Sequence, residues 1–157
     1  MIKPILDFVS LFGTSINLNE NLVVKKGKRY FLVSEDLKKA MSRDFFCAGS
    51  YLGKIKNAIF FPGFELLRMM AEKNANRIVV DKKTEWLFIC GRDIFKQGIT
   101  TVTGSSRRGD YVLVLNRHNE CLGFGRIICD LNKTTKGVVV KNVLDVGDFL
   151  RRETHTS

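Results

Sequence analysis

Arg108-Gly109-Asp110-Tyr111-Val112-Leu113-Val114-Leu115 and Cys121-Leu122-Gly123-Phe124-Gly125-Arg126-Ile127-Ile128-Cys129-Asp130 are the two runs that decide the fold. Both are rich in β-branched and aromatic residues, and both carry glycine where a strand needs close approach or a bulge. Asn116-Arg117-His118-Asn119 supplies a turn between them. Working outward, further strands are expected around 100–104 and 137–144, with a second turn at Ser105-Ser106-Arg107-Arg108-Gly109. Several short strands within about 60 residues read as a small closed or half-closed barrel.

Upstream of this barrel, residues 85–90 read as a strand, residues 92–97 as a short helix, and Gly98 as its stop. Lys82-Lys83-Thr84 is a polar turn and the best domain boundary. It divides the chain into an N-terminal α/β domain, 1–83, and a C-terminal β domain, 84–157. A fragment lacking residues 1–83 is therefore expected to fold.

The N-terminal part is mixed. Ile5, Phe8, Val9 and Phe12 have helical spacing, with Pro4 at the first turn and Gly13 at the end. Residues 21–24 and 29–33 flank Lys25-Lys26-Gly27-Lys28 and predict a hairpin. Ser34 is a helix N-cap with Glu35 and Asp36 behind it, and Leu37, Ala40 and Met41 are the expected buried face. Residues 45–61 hold β-prone runs broken by Gly49 and Gly53. Pro62-Gly63 then introduces a helix from Phe64 to about Asn74, buried through Leu66, Leu67, Met70 and Ala71. Residues 77–81 form a short strand. The fold class is α+β: an antiparallel sheet with helices, followed by a pseudo-barrel.

The 157 residues carry 26 Lys and Arg against 16 Asp and Glu, a formal charge of +10 and a pI of about 9.7. Both halves share the excess, 15 basic against 8 acidic residues in 1–83 and 11 against 8 in 84–157. A compact domain with this charge repels itself, and a polyanionic partner relieves it. Nucleic acid is the first choice. No run approaches the ~20 apolar residues of a membrane span. The N-terminus, with Asp7 inside its apolar run and no small-residue cleavage site, does not read as a signal peptide. A cytosolic location follows, or a nuclear one in a nucleated cell.

Chemistry is sparse. Cys47, Cys90, Cys121 and Cys129 form no CxxC pair, and His118 and His155 stand in no metal-ligand spacing with them, so buried free thiols are expected and no metal or cofactor is. Gly49-Ser50-Tyr51-Leu52-Gly53-Lys54-Ile55 fails as a phosphate loop. It has three residues between its glycines, where four are needed, and Ile55 where Ser or Thr is needed. Asp44 and Asp110 are as well explained by turns as by catalysis. With no constellation of acid, base and nucleophile, the chain is read as a non-enzyme. Basic residues cluster at 25–29, at Arg107-Arg108, at Arg151-Arg152, and more loosely at Lys133, Lys136 and Lys141. Such pairs suit phosphates, and Tyr30, Tyr51 and Phe45/Phe46 lie near basic residues where rings can stack on bases, with core burial the better reading for the two phenylalanines.

Three pieces of the C-terminal half resemble the PUA domain, a pseudo-barrel of RNA-modifying enzymes and ribosome-assembly factors. They are Asp93-Ile94-Phe95-Lys96-Gln97-Gly98-Ile99, Arg108-Gly109-Asp110-Tyr111-Val112-Leu113-Val114, and Leu122-Gly123-Phe124-Gly125-Arg126. The whole chain resembles the Nip-seven family of ribosome-biogenesis proteins. The pieces that carry this are Leu52-Gly53-Lys54, Gly91-Arg92-Asp93-Ile94-Phe95-Lys96-Gln97-Gly98-Ile99, Leu122-Gly123-Phe124-Gly125, and the ending Asp145-Val146-Gly147-Asp148-Phe149-Leu150-Arg151-Arg152-Glu153. The N-terminal half matches in layout more than in residues, and the short length is that expected of an archaeal member. The resemblance implies a non-catalytic protein of large-subunit assembly that binds single-stranded, uridine-rich pre-ribosomal RNA. Pre-ribosomal or exosome proteins are its implied protein partners, and a monomer is expected. Arg151 and Arg152 match the family's RNA-contacting end, and Arg92, Lys96 and Gly98 match the general PUA RNA face. Charge and expected strand position add Lys136 and Lys141 to these.

Overall fold

The computed structural model describes residues 1–40 and 49–148. They divide into two compact units. One comprises Met1–Ser10 and Ser15–Lys73; the other comprises Leu11–Thr14 and the chain from Asn74 onward.

In the first unit, helix α1 (Lys3–Ser10) buries Ile5, Phe8 and Val9, the spacing seen in the sequence. A four-stranded antiparallel sheet runs in the order β1 (Val23–Lys26), β2 (Arg29–Leu32), β3 (Ser50–Lys56), β4 (Ile59–Pro62). The β1–β2 loop is Gly27-Lys28, with Gly27 at φ 62°. The β3–β4 loop is Asn57-Ala58, both at positive φ (53° and 62°), as a type I′ hairpin turn demands. Gly53 sits in β3 at φ 147°, and a Cβ there would lie 2.5 Å from the Phe60 ring and from the Phe61 carbonyl. The glycine is a close-approach strand glycine beside a register shift, as its failure as a phosphate loop suggested.

Helix α3 (Phe64–Ala71) buries Leu66, Leu67 and Met70. It is tied externally by Arg68, which bridges Glu65 at 2.6 Å and Glu72 at 2.9 Å. Helix α2 (Glu35–Ala40) is capped by Ser34, whose Oγ accepts from the Leu37 amide. Its expected buried face is weaker than its sequence: Leu37 is half-buried and Ala40 exposed, while Met41 lies outside the described residues. Phe45, Phe46, Asp44 and Cys47 also lie outside them.

The second unit is a six-stranded mixed sheet in the order β6 (Ile94–Phe95), β10 (Val138–Asp145), β9 (Cys121–Ile127), β8 (Tyr111–Leu115), β5 (Arg77–Val80), β7 (Ile99–Thr103). All neighbours are antiparallel except β5 and β8. One face encloses Ile78, Val80, Phe88, Val112, Val114, Leu122, Ile127 and Val140. The other is closed in part by Phe12, whose ring meets Phe124 at 5.4 Å and Tyr111 at 5.8 Å. The Phe12 carbonyl accepts from the Asn76 amide, so Leu11–Thr14 belongs to this unit.

Three expectations change here. Residues 85–90 are not a strand: Lys82–Ile89 is helix α4. Asp81 caps it, accepting from the Thr84 amide at 2.8 Å, and Thr84 and Phe88 one turn apart are its buried stripe. Residues 92–97 are not a helix: they pass through β6 into a 3₁₀ turn, Lys96–Gly98, because Ile94 pairs with β10. The division after residue 83 also moves. β5 precedes it yet lies between β8 and β7 in the second sheet, and the proposed linker is the first turn of α4.

Candidate nucleic-acid interface

Gly123 and Gly125 build the site. A Cβ on Gly123 would fall 1.9 Å from the Leu144 carbonyl, and one on Gly125 would fall 2.6 Å from the Lys141 carbonyl and 2.5 Å from Val140. Without side chains there, β10 lies close across β9. Lys141 then stands directly opposite Arg126, and Arg126 opposite Tyr111 on β8. Directly opposed residues share a face, so Lys141, Arg126 and Tyr111 form one row over three strands. Lys141 and Arg126 are exposed and Tyr111 is half-buried. The Arg126 guanidinium sits over the Tyr111 ring at 5.9 Å, and its Nε donates to the Gly109 carbonyl at 3.2 Å. Gly109 takes φ 97°, its amide donating to Ile127 O at 2.7 Å. The adjoining turn is fixed by Asp110, which pairs with Arg107 at 3.6 Å and accepts from the Ser105 hydroxyl.

A second group lies at the β6–β10 edge. The Lys96 amide donates to Gly137 O at 2.8 Å, placing Lys96 beside exposed Lys136. Phe95 pairs with Val138 and is 51% exposed, an unusual position for a large aromatic. Asn142 joins this edge to α4: its amide donates to Asp93 Oδ1 at 2.9 Å, and its side chain donates to Phe88 O at 3.0 Å, Arg92 O at 3.4 Å and Asp145 Oδ2 at 3.0 Å. That clamp holds exposed Arg92 at the end of the sheet.

The structure thus brings Lys96 together with Lys136, holds Arg92 to β10 through Asn142, and places Lys141 in the separate Arg126 row. Gly98 is buried, and a Cβ on it would fall 1.9 Å from Thr84 Oγ1. Its lack of a side chain serves the packing of α4. After β10 the chain turns helical at 146–148, and Arg151 and Arg152 lie outside the described residues. Sequence reasoning did not select Arg126 or Phe95 as site residues. Arg126's place beside Lys141 depends on register; Phe95 stands next to Lys96 in the sequence, but its exposure follows from its edge-strand pairing with Val138.

The thiols differ from expectation. Cys90 is exposed at the end of α4, and Cys121 and Cys129 are half-buried. Burial pushes the Cys121 thiol up to about 11, with Arg77's charge pulling the other way. Among the described residues, no group of three or more His, Cys, Asp or Glu is placed to hold a metal, and no helix is long and apolar enough to cross a membrane.

A family model described as the UPF0113 PUA domain matches residues 76–154. A UPF0113 protein of Archaeoglobus fulgidus is 28% identical over 110 residues, 68% of this chain and 62% of that protein, so the match spans less than two thirds of the relative. Among solved structures, a conserved PUA domain protein from Thermoplasma acidophilum superposes with a TM-score of 0.63 at 21% identity, covering 96% of this chain and 92% of that one. A PUA domain from Aeropyrum pernix gives 0.52 at 21% identity, over 63% and 59%. The first shares the fold described above over nearly the whole chain, the second over 63% of it.

Proposed function

The chain belongs to the UPF0113 PUA-domain family, and on that premise we propose that it is a non-catalytic RNA-binding factor. Its ligand is single-stranded, uridine-rich RNA, and its setting is large-subunit ribosome assembly in an archaeal-type cytoplasm. The observation that carries the reading is the Lys141–Arg126–Tyr111 row. Two cations on adjacent strands meet phosphates, and the guanidinium and ring beneath it offer a flat surface for a base.

The β6–β10 edge extends the surface with Lys96, Lys136, Arg92 and exposed Phe95. Unstacked bases are needed for such stacking, so single strands and loops suit it better than an A-form duplex, whose major groove excludes side chains. Arg151 and Arg152 belong to the same proposal through the resemblance of the chain's ending. The ribosomal setting rests on that resemblance too. It is tested by cross-linking the protein to RNA in cells and sequencing what is bound. Precursor RNA of the large subunit is expected; a library dominated by messenger or transfer RNA would overturn the assignment.

A further inference from the structure

We propose that the first unit carries its own RNA site: a row of cations across β1, β2 and β3 that binds the phosphate backbone of a single strand. Arg29 on β2 stands directly opposite Lys26 on β1 and Lys54 on β3. Three positive charges therefore lie side by side across three adjacent strands, and the row is flanked by Lys28 and Lys56. Like charges directly opposed in a sheet destabilise it. Neighbouring strands are only ~4.8 Å apart, so the repulsion is built into the register.

A cleft of about 450 Å³ is lined by these five cations, and among the described residues no carboxylate lines it. Among the described residues, no carboxylate forms an ion pair with Lys28, Arg29, Lys54 or Lys56. The Gly27 turn beside the row is open, with nothing within 4 Å of the place a Cβ would take. An anion would balance the charges of Lys28, Arg29, Lys54 and Lys56.

The aromatic content selects RNA over an acidic protein. Phe31 lies two residues from Arg29, on the same face, and lines the cleft. Its strand partner Tyr51 meets it in a tilted ring contact at a centroid distance of 5.6 Å and is half-buried. Arg29 is near enough to act on the Tyr51 hydroxyl electrostatically. A cation row beside a half-buried tyrosine is the combination that binds single strands without reading sequence, whereas acidic side chains have no use for the ring.

The test uses the full chain and a fluorescein-labelled twelve-residue oligouridine, titrated by anisotropy over a salt series. The variant is Lys26→Gln with Arg29→Gln and Lys54→Gln. At roughly 0.7 per phosphate contact, the slope of log K against log salt should become shallower by about 2. Affinity at low salt should fall about tenfold or more, and the RNA-free variant should melt no lower than the parent. If the triple variant does not melt cooperatively, Arg29→Gln alone is read, with a slope change of about 0.7.

An unchanged slope in a folded variant overturns the site. So does displacement of the RNA by a polyglutamate peptide of equal charge, which would mark the cleft as a seat for acidic protein. Arg126→Ala with Lys141→Ala in the PUA domain is the parallel measurement. An independent further loss when the two sets are combined keeps the two sites, and their possible failures, distinct.

Discussion

The guanidinium of Arg126 lies 5.9 Å over the ring of Tyr111, its strand partner, while its Nε is held by the Gly109 carbonyl. The side chain is therefore pre-oriented, and little rotamer entropy remains to be lost when a phosphate or base arrives. Replacing Arg126 by Ala removes the cation and uncovers the ring. RNA affinity should fall about five- to tenfold, with a melting temperature close to the parent's because the side chain is exposed. Arg126→Lys should keep the charge but not the stack, and recover only part of the loss. Anisotropy on both variants checks this, and equal affinity in all three proteins would remove Arg126 from the site.

Gly98 separates packing from binding. The RNA-face role implied for it by resemblance and its burial against Thr84 make different forecasts. An added Cβ at 1.9 Å from Thr84 Oγ1 forces α4 away from the 3₁₀ turn. Gly98→Ala should cost on the order of 2–4 kcal/mol in denaturant unfolding. Its RNA affinity, measured where the variant is still folded, should stay within about twofold of the parent.

The Asn57-Ala58 turn stores strain at a known place. Ala58 holds φ 62° where glycine is preferred. Ala58→Gly should stabilise the protein by roughly 0.5–1 kcal/mol, less whatever the more flexible unfolded chain takes back. A lower denaturation midpoint would contradict the type I′ assignment.

Much of the second sheet is legible in the sequence. The runs at 99–103, 111–115, 121–127 and 138–145 are strands because β-branched residues and glycines alternate with turn signals. The helix α4 was hidden because Trp86-Leu87-Phe88-Ile89-Cys90 is a short apolar run that periodicity alone cannot assign. Asp81, three residues before Thr84, is the signal that could have revealed it, since a capping carboxylate starts helices and not strands. Register was not legible at all. Lys141 meets Arg126, and Arg29 meets Lys26 and Lys54, only through strand pairing between residues up to 25 positions apart. The sequence displayed the charges as local clusters, and the rows exist only in the folded sheet.

The domain division has a direct consequence. β5 lies between β8 and β7, so a fragment starting at residue 84 loses the strand that joins β7 to the rest of the sheet. That fragment should show no cooperative thermal transition. Scanning calorimetry checks this, and a sharp endotherm from the 84–157 fragment would restore the sequence-based boundary.

Thiol chemistry gives a pH dependence of known sign. Cys121 is raised to about 11 from an ordinary 9.0. The folded state holds its proton where the unfolded chain releases it, so this stabilisation is fully present below about pH 9 and is lost as the pH climbs toward 11. Between pH 8 and 10.5, Cys121→Ala should lose less stability than the parent, by on the order of 1–2 kcal/mol. At pH 8, iodoacetamide should label exposed Cys90 well before Cys121, and mass spectrometry of tryptic peptides gives the order.

RNA binding through the PUA domain is tested most directly by anisotropy with a uridine-rich single strand and a matched duplex, each titrated over a salt series. With about five phosphates neutralised, the single strand should bind more tightly than the duplex, with a log–log salt slope near −3.5. Equal binding of the two, or a slope close to zero, would contradict it.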